Sequence, residues 1–179
     1  ATRQPINTTE APKESQADAA APAQAAPVEK NPEAEIANTI KKYIADISKE
    51  LDISMSDDDL RNYILKGRLT KEVTIIPGLI KGTLQTLRIS DLQDIDKRMA
   101  QVRDASELTS KGIENEEALI ALSFAWTHAD GKALGALPED REKKIRQMGA
   151  LFIEKASTAR INYDTLVRLS MQERGLVKK

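Results

Sequence analysis

The sequence contains no cysteine and a single histidine, His128, in 179 residues. Without cysteine there is no disulfide framework, no thiolate zinc site and no thiol nucleophile. One histidine excludes paired-histidine metal sites of the H-E-x-x-H kind. Aromatics are scarce: two Phe, three Tyr and one Trp, 3% of the chain. So few rings make a poor platform for stacking nucleic-acid bases. An excess of either charge is also missing, because 27 basic side chains meet 28 acidic ones for a net −1. That balance gives no global pull on nucleic acid and leaves only local patches. No run approaches the ~18 consecutive apolar residues of a membrane-spanning helix. The opening ATRQPINTTE lacks the apolar core of a secretory signal. The start at Ala1 reads as initiator-Met removal from a chain made in a cell, and the absence of cysteine fits a cytosolic history.

What is present divides into two unlike parts. Five of the seven prolines lie at or before Pro32, and none of the eight glycines does. Alanine dominates from Ala17 to Ala26, and the only larger aliphatics before Asn31 are Ile6 and Val28. Ordering one residue costs about 1–2 kcal/mol. Burying one large aliphatic returns about 1.5–3 kcal/mol. Two aliphatics cannot hold such a segment, so residues 1–31 are predicted to be an Ala/Pro-rich extended arm, disordered when free. The arm reads either as an inert leader or as a docking arm that orders on a partner.

Residues 32–179 predict a single, mainly α domain with one β-hairpin at about 70–88, an α+β fold. Asn31-Pro32-Glu33 has the form of a helix start. Ile36, Ile40, Tyr43, Ile44, Ile47 and Leu51 form one apolar stripe, expected to face the core. Ser56 and Asp59 are spaced as a capping box, and Gly67 as a helix stop. The acids near Asp52 fail as a calcium loop, because the sixth position is Asp57 and the twelfth Tyr63. Thr70 to Ile76 alternates as a half-buried strand. Pro77-Gly78 suits a type II turn, and the strand returns through Ile80 and Leu84 with a bulge expected at Gly82. Ser90, Asn115, Pro138 and Asn162 are expected to open four further helices. Their inward residues are Leu92, Ile95, Met99 and Val102, then Leu119, Leu122, Phe124 and Trp126 in a helix ending at Gly131. Ile145, Met148, Leu151, Phe152 and Ala156 follow in the third, then Leu166, Leu169 and Met171 in the fourth.

Chemistry is thin. His128 reads as a structural cation near a helix C-terminus. No G-x-S-x-G elbow is present, and Gly131-Lys132 lacks the rest of a phosphate loop. No catalytic residue, cofactor or metal is expected, and the chain is not expected to be an enzyme. Charge is uneven, however. Residues 33–60 hold eight acids and three bases, whereas residues 143–179 hold nine bases and three acids. Such patches can steer copies or partners together in a salt-sensitive way.

Glu72-Val73-Thr74-Ile75-Ile76-Pro77-Gly78, then Leu84-Gln85-Thr86-Leu87-Arg88, then Asp91 to Met99, resembles a pattern in small tail proteins of tailed bacteriophages. The match covers about residues 60–102. It implies a tail-assembly chaperone or a minor tail or baseplate part, and carries over no catalytic residue. The expected function is therefore a non-enzymatic structural component of a phage virion, in tail, baseplate or neck, made in the host cytoplasm. Its expected partners are other virion proteins and copies of itself in a ring, with no membrane and no nucleic acid. The expected partner-binding residues are Ile6, Val28, Val73, Ile75, Pro77, Gly78, Ile80 and Leu84, on the arm and the hairpin. Three alternatives stay open: a soluble assembly chaperone, a capsid-decoration protein, and a nucleic-acid-binding regulator acting through the basic C-terminal helix.

Overall fold

The computed structural model of the protein describes residues 32–105 and 107–177. Pro32 opens α1 (Pro32–Leu51), with Glu33 and Glu35 in its first turn, where acids complement the helix dipole. Ser56 then starts α2 (Asp57–Lys66). The predicted capping box is formed: the Asp59 N–H donates to Ser56 Oγ at 3.1 Å, and the Ser56 N–H donates to Asp59 Oδ2 at 2.9 Å. Gly67 ends α2 in the left-handed region, at φ 65°.

The predicted hairpin is β1 (Thr70–Ile76) and β2 (Ile80–Gln85), paired antiparallel. Its turn carries Gly78 at φ 70°, and the Leu79 N–H donates to the Ile76 carbonyl at 3.0 Å. The open end is fastened twice. The Thr86 N–H donates to the Leu69 carbonyl, and Thr86 Oγ1 accepts the Leu69 N–H. Gly82 is not the bulge. It pairs regularly with Val73 and Ala129, and the register shifts fall at Thr74/Ile76 and Thr83/Leu84.

The sheet is larger than the sequence suggests. After α3 (Ile89–Ala105), α4 (Ser110–Ala125) passes without a loop into β3 (Trp126–Ala129), followed by β4 (Lys132–Ala133). The four strands lie in the order β1-β2-β3-β4. The helix expected to reach Asp130 therefore stops at Ala125. Asp130 and Gly131 take positive φ values of 46° and 74° between the paired Ala129 and Lys132. This is the two-residue hairpin loop that Asp-Gly favours. The Asp130 carboxylate also accepts the Lys81 N–H at 2.9 Å, which ties the loop to β2. His128 consequently sits on a strand, 3.0 Å from Thr127 Oγ1, and not at a helix end.

Other boundaries differ for local reasons. The Asp91 carboxylate takes the Arg88 N–H at 2.8 Å, so α3 starts ahead of the expected cap Ser90. Thr109, not Asn115, caps α4 through the Gly112 N–H. The helix expected from Pro138 onward is two: α5 (Pro138–Ile145) and α6 (Ala150–Glu173), with Gly149 extended between them. Asn162 lies inside α6 and donates to Glu50 Oε2 at 3.1 Å.

The main core gathers the end of α1, Leu60 of α2, the inner sheet face and α6 around Trp126 and Tyr163. A smaller core joins Ile95 and Met99 of α3 to Ile120 and Phe124 of α4. Ion pairs run across α3, α5 and α4. Arg98 pairs with Glu142, Glu142 accepts Arg146 at 2.7 Å, and Arg146 reaches Glu116. The α1 stripe departs from expectation: Ile47 and Leu51 are buried, whereas Ile36 and Tyr43 are exposed. Among the described residues, only the last turns of α1 pack into the core. Leu92 and Leu151, also expected inward, are exposed as well.

Candidate interaction surface

The hairpin residues separate into two groups. Val73, Ile75 and Leu84 lie in the main core, and Ile80 packs against its rim. Their alternation reports a buried face of this chain's own sheet, so their side chains do not offer a partner site. Pro77 and Gly78 stand exposed at the hairpin tip beside the exposed Leu79. Ile6 and Val28 lie outside the described residues.

The hairpin does offer an edge. β1 is an outer strand of the sheet. The Thr86-to-Leu69 bond sets the alternation, so Thr70, Glu72 and Thr74 direct their backbone groups away from β2. Such an edge accepts a further strand.

Further exposed apolar side chains lie on the helices. On α2, Ile64 and Leu65 are exposed, Leu65 by 72%. Tyr63, Ile64 and Leu65 are consecutive, and three neighbours on a helix span too wide an arc to face one core. That run was the available signal for this surface. Ile64 and Leu65, with Asp57, Leu60, Arg61, Arg174 and Leu176, line a groove of about 610 Å³. Arg174 is held in place: its Nε lies 2.6 Å from Asp57 Oδ1, and its Nη2 donates to the Met55 carbonyl at 2.9 Å. The C-terminal turn is thereby fastened to the start of α2. Arg61 and Lys66 add positive charge along the same helix. On α1, Ile36 and Tyr43 are exposed, Tyr43 by 59%.

A second, narrower groove of about 390 Å³ includes Tyr63, Leu87, Leu92, Arg160, Asp164 and Met171 in its lining. Burial pushes the Asp164 carboxyl up to about 6, against the opposing pull of Arg160, whose Nη1 lies 3.3 Å away. Burial also raises the neighbouring Tyr163 phenol, with Asp164 and Asp59 adding to the effect.

The sign of the Asp164 effect is definite. The native carboxyl binds its proton more tightly than the unfolded one, which titrates near ~4. Its contribution to stability is complete below that pH and is lost as pH rises through about 6. Asp164→Asn is expected to flatten the fall in thermal midpoint across that window. The side chain stays 35% exposed, so solvent screening keeps the effect small. Parallel melts of both proteins test it, and equal slopes would refute it.

Among the described residues, no group of three or more His, Asp or Glu side chains is placed to hold a metal ion. No described helix is long and apolar enough to cross a membrane. No protein-family model, curated protein or solved structure matches the chain. The surfaces described above are a strand edge, an apolar groove and a half-packed amphipathic helix.

Proposed function

We propose that the chain is a non-enzymatic structural component of a tailed-bacteriophage particle, in the tail, baseplate or neck. It holds neighbouring subunits through exposed apolar surface. The observation that carries this reading is the unpacked part of α1 together with the exposed face of α2. Burying large apolar side chains is the main favourable contribution to folding. A chain of 179 residues that leaves Ile36, Tyr43, Ile64 and Leu65 exposed keeps that driving force for association, and clustered exposed apolar surface marks interaction sites. The free β1 edge supports the same reading. The setting comes from the tail-protein resemblance over residues 60–102, which covers most of α2, the hairpin and most of α3.

Quantitative mass spectrometry on purified particles, separated tails and infected lysate tests the proposal. A fixed copy number in tails is the expected result. Abundance in lysate with absence from particles would overturn it in favour of a transient assembly chaperone. Recovery from heads alone would move the chain to the capsid.

A further inference from the structure

We infer that the exposed stripe of α1 docks into the α2 groove of a second copy of this chain, joining subunits head to tail. This deepens the assembly reading above and rests on it.

The stripe comes first. Ile36, Ile40, Tyr43 and Ile47 follow a 4-3-4 spacing along α1, which aligns them on one side of a helix. Ile47 is buried in this chain, while Ile36 and Tyr43 are exposed. The helix is therefore anchored at one end and presents side chains at i, i+4 and i+7 from the other. Those are the anchors of a helix that lies in a groove.

Three occupants compete for that stripe. The first is the groove of the same chain. Ile47 and Leu51 lock α1 to the body, yet Tyr43 and Leu65 both stay exposed, so the two surfaces do not cover each other in one subunit. The second is the α1 helix of another copy. A seam of two heptads is short for a stable coiled coil, which needs about three or four. The third is the groove of another copy. At about 610 Å³ it lies in the range of sites that bury whole ligands, about 300–1,000 Å³. Its walls are aliphatic at Leu60, Ile64, Leu65 and Leu176.

Charge favours the third. On a helix of 3.6 residues per turn, Asp46 falls beside the stripe, and Lys41 and Lys42 fall on the far side. The stripe thus has an acidic flank. The groove's rim carries Asp57, Arg61 and Arg174; Asp57 and Arg174 pair with each other, so Arg61 supplies the net positive charge of the rim. Opposite charges at the rim set orientation and suppress like-to-like pairing. A contact between two different patches repeats from copy to copy, giving a ring where the rotation closes and a filament where it does not.

The test uses the full chain and two exposed substitutions, Tyr43→Glu on the helix and Leu65→Glu in the groove, with mass measured by light scattering during size exclusion. The unmodified chain is expected to show a mass that grows with concentration. Each variant is expected to run as one 19.8 kDa chain, with an unchanged thermal midpoint as the folding control. An equimolar mixture is expected to form pairs and no more, because one intact helix meets one intact groove. A lone-chain mass for the unmodified protein at every concentration would overturn the inference. So would a mixture that stays unpaired, or a Leu65→Glu variant that still assembles, since either shows α1 using another surface. Fixed copy number in particles without self-association would leave the assembly reading standing and remove this contact. Self-association without particle recovery would do the reverse.

Discussion

Trp126→Ala is expected to destabilise the fold by about 3–5 kcal/mol, the largest single effect in the protein. Trp126 is completely buried at the junction where α4 becomes β3, so its ring packs against helices and sheet together. It lies tilted against Phe152 with ring centroids 5.5 Å apart, an arrangement that adds to simple burial. Its indole N–H donates to the His128 carbonyl at 2.6 Å. Truncation therefore opens a cavity and removes one donor from a strand carbonyl. For a chain of this size each kcal/mol moves the thermal midpoint by roughly 2–4 °C, so a fall of about 6–20 °C is expected. Denaturant titration followed by circular dichroism measures the loss. A cost below about 1 kcal/mol would show that the junction collapses around the gap, which close-packed interiors resist.

That junction also explains what the sequence discloses and what it does not. Local chemistry is legible. Ser56 and Asp59 close their own capping box within four residues, and Val73 and Ile75 alternate with polar neighbours as β1 requires. β3 is not local. The apolar load from Leu119 to Trp126 continues a helical pattern, and the strand exists because Trp126 and His128 pair with Leu84 and Thr83 more than forty residues earlier. A local signal was present nevertheless in Asp130-Gly131, a dipeptide that favours a tight hairpin. Gly149 is a similar case, since it divides α5 from α6 where the apolar spacing runs on.

The candidate surface was harder to read for a different reason. Period-two alternation shows that Val73, Ile75 and Leu84 share a side, but not that this side faces the chain's own core. The stripe of α1 has the same ambiguity in reverse. Helical spacing aligns Ile36 and Tyr43 with Ile47, yet how far along α1 the body extends depends on tertiary packing. Periodicity identifies an apolar face. Only the assembled fold identifies what covers it.

Gly82→Ala tests that assembled fold at one atom, and the sign of its effect decides the cause. Glycine inside a strand ordinarily costs about 0.5–1 kcal/mol relative to alanine. Propensity alone therefore makes the substitution stabilising, and the φ of Gly82 does not lie in the left-handed region that would favour glycine. Close approach gives the opposite sign. A Cβ here would lie 2.4 Å from Ile75 Cδ1 and 2.7 Å from Trp126 Nε1. Ile75 can rotate away at modest cost, but the indole is fixed by its bond to His128. The substitution is expected to cost about 1–3 kcal/mol, as overpacking in a filled core does. In a Trp126→Phe background the indole nitrogen is gone and the methyl has room. The cost of Gly82→Ala should then shrink, with a coupling of about 0.5–3 kcal/mol in the double-mutant cycle. Equal costs in the two backgrounds would mean that the indole is not what keeps position 82 a glycine. A net gain from Gly82→Ala alone would mean that β2 can shift away from β3, and that the sheet behind the hairpin edge is looser than its pairing implies.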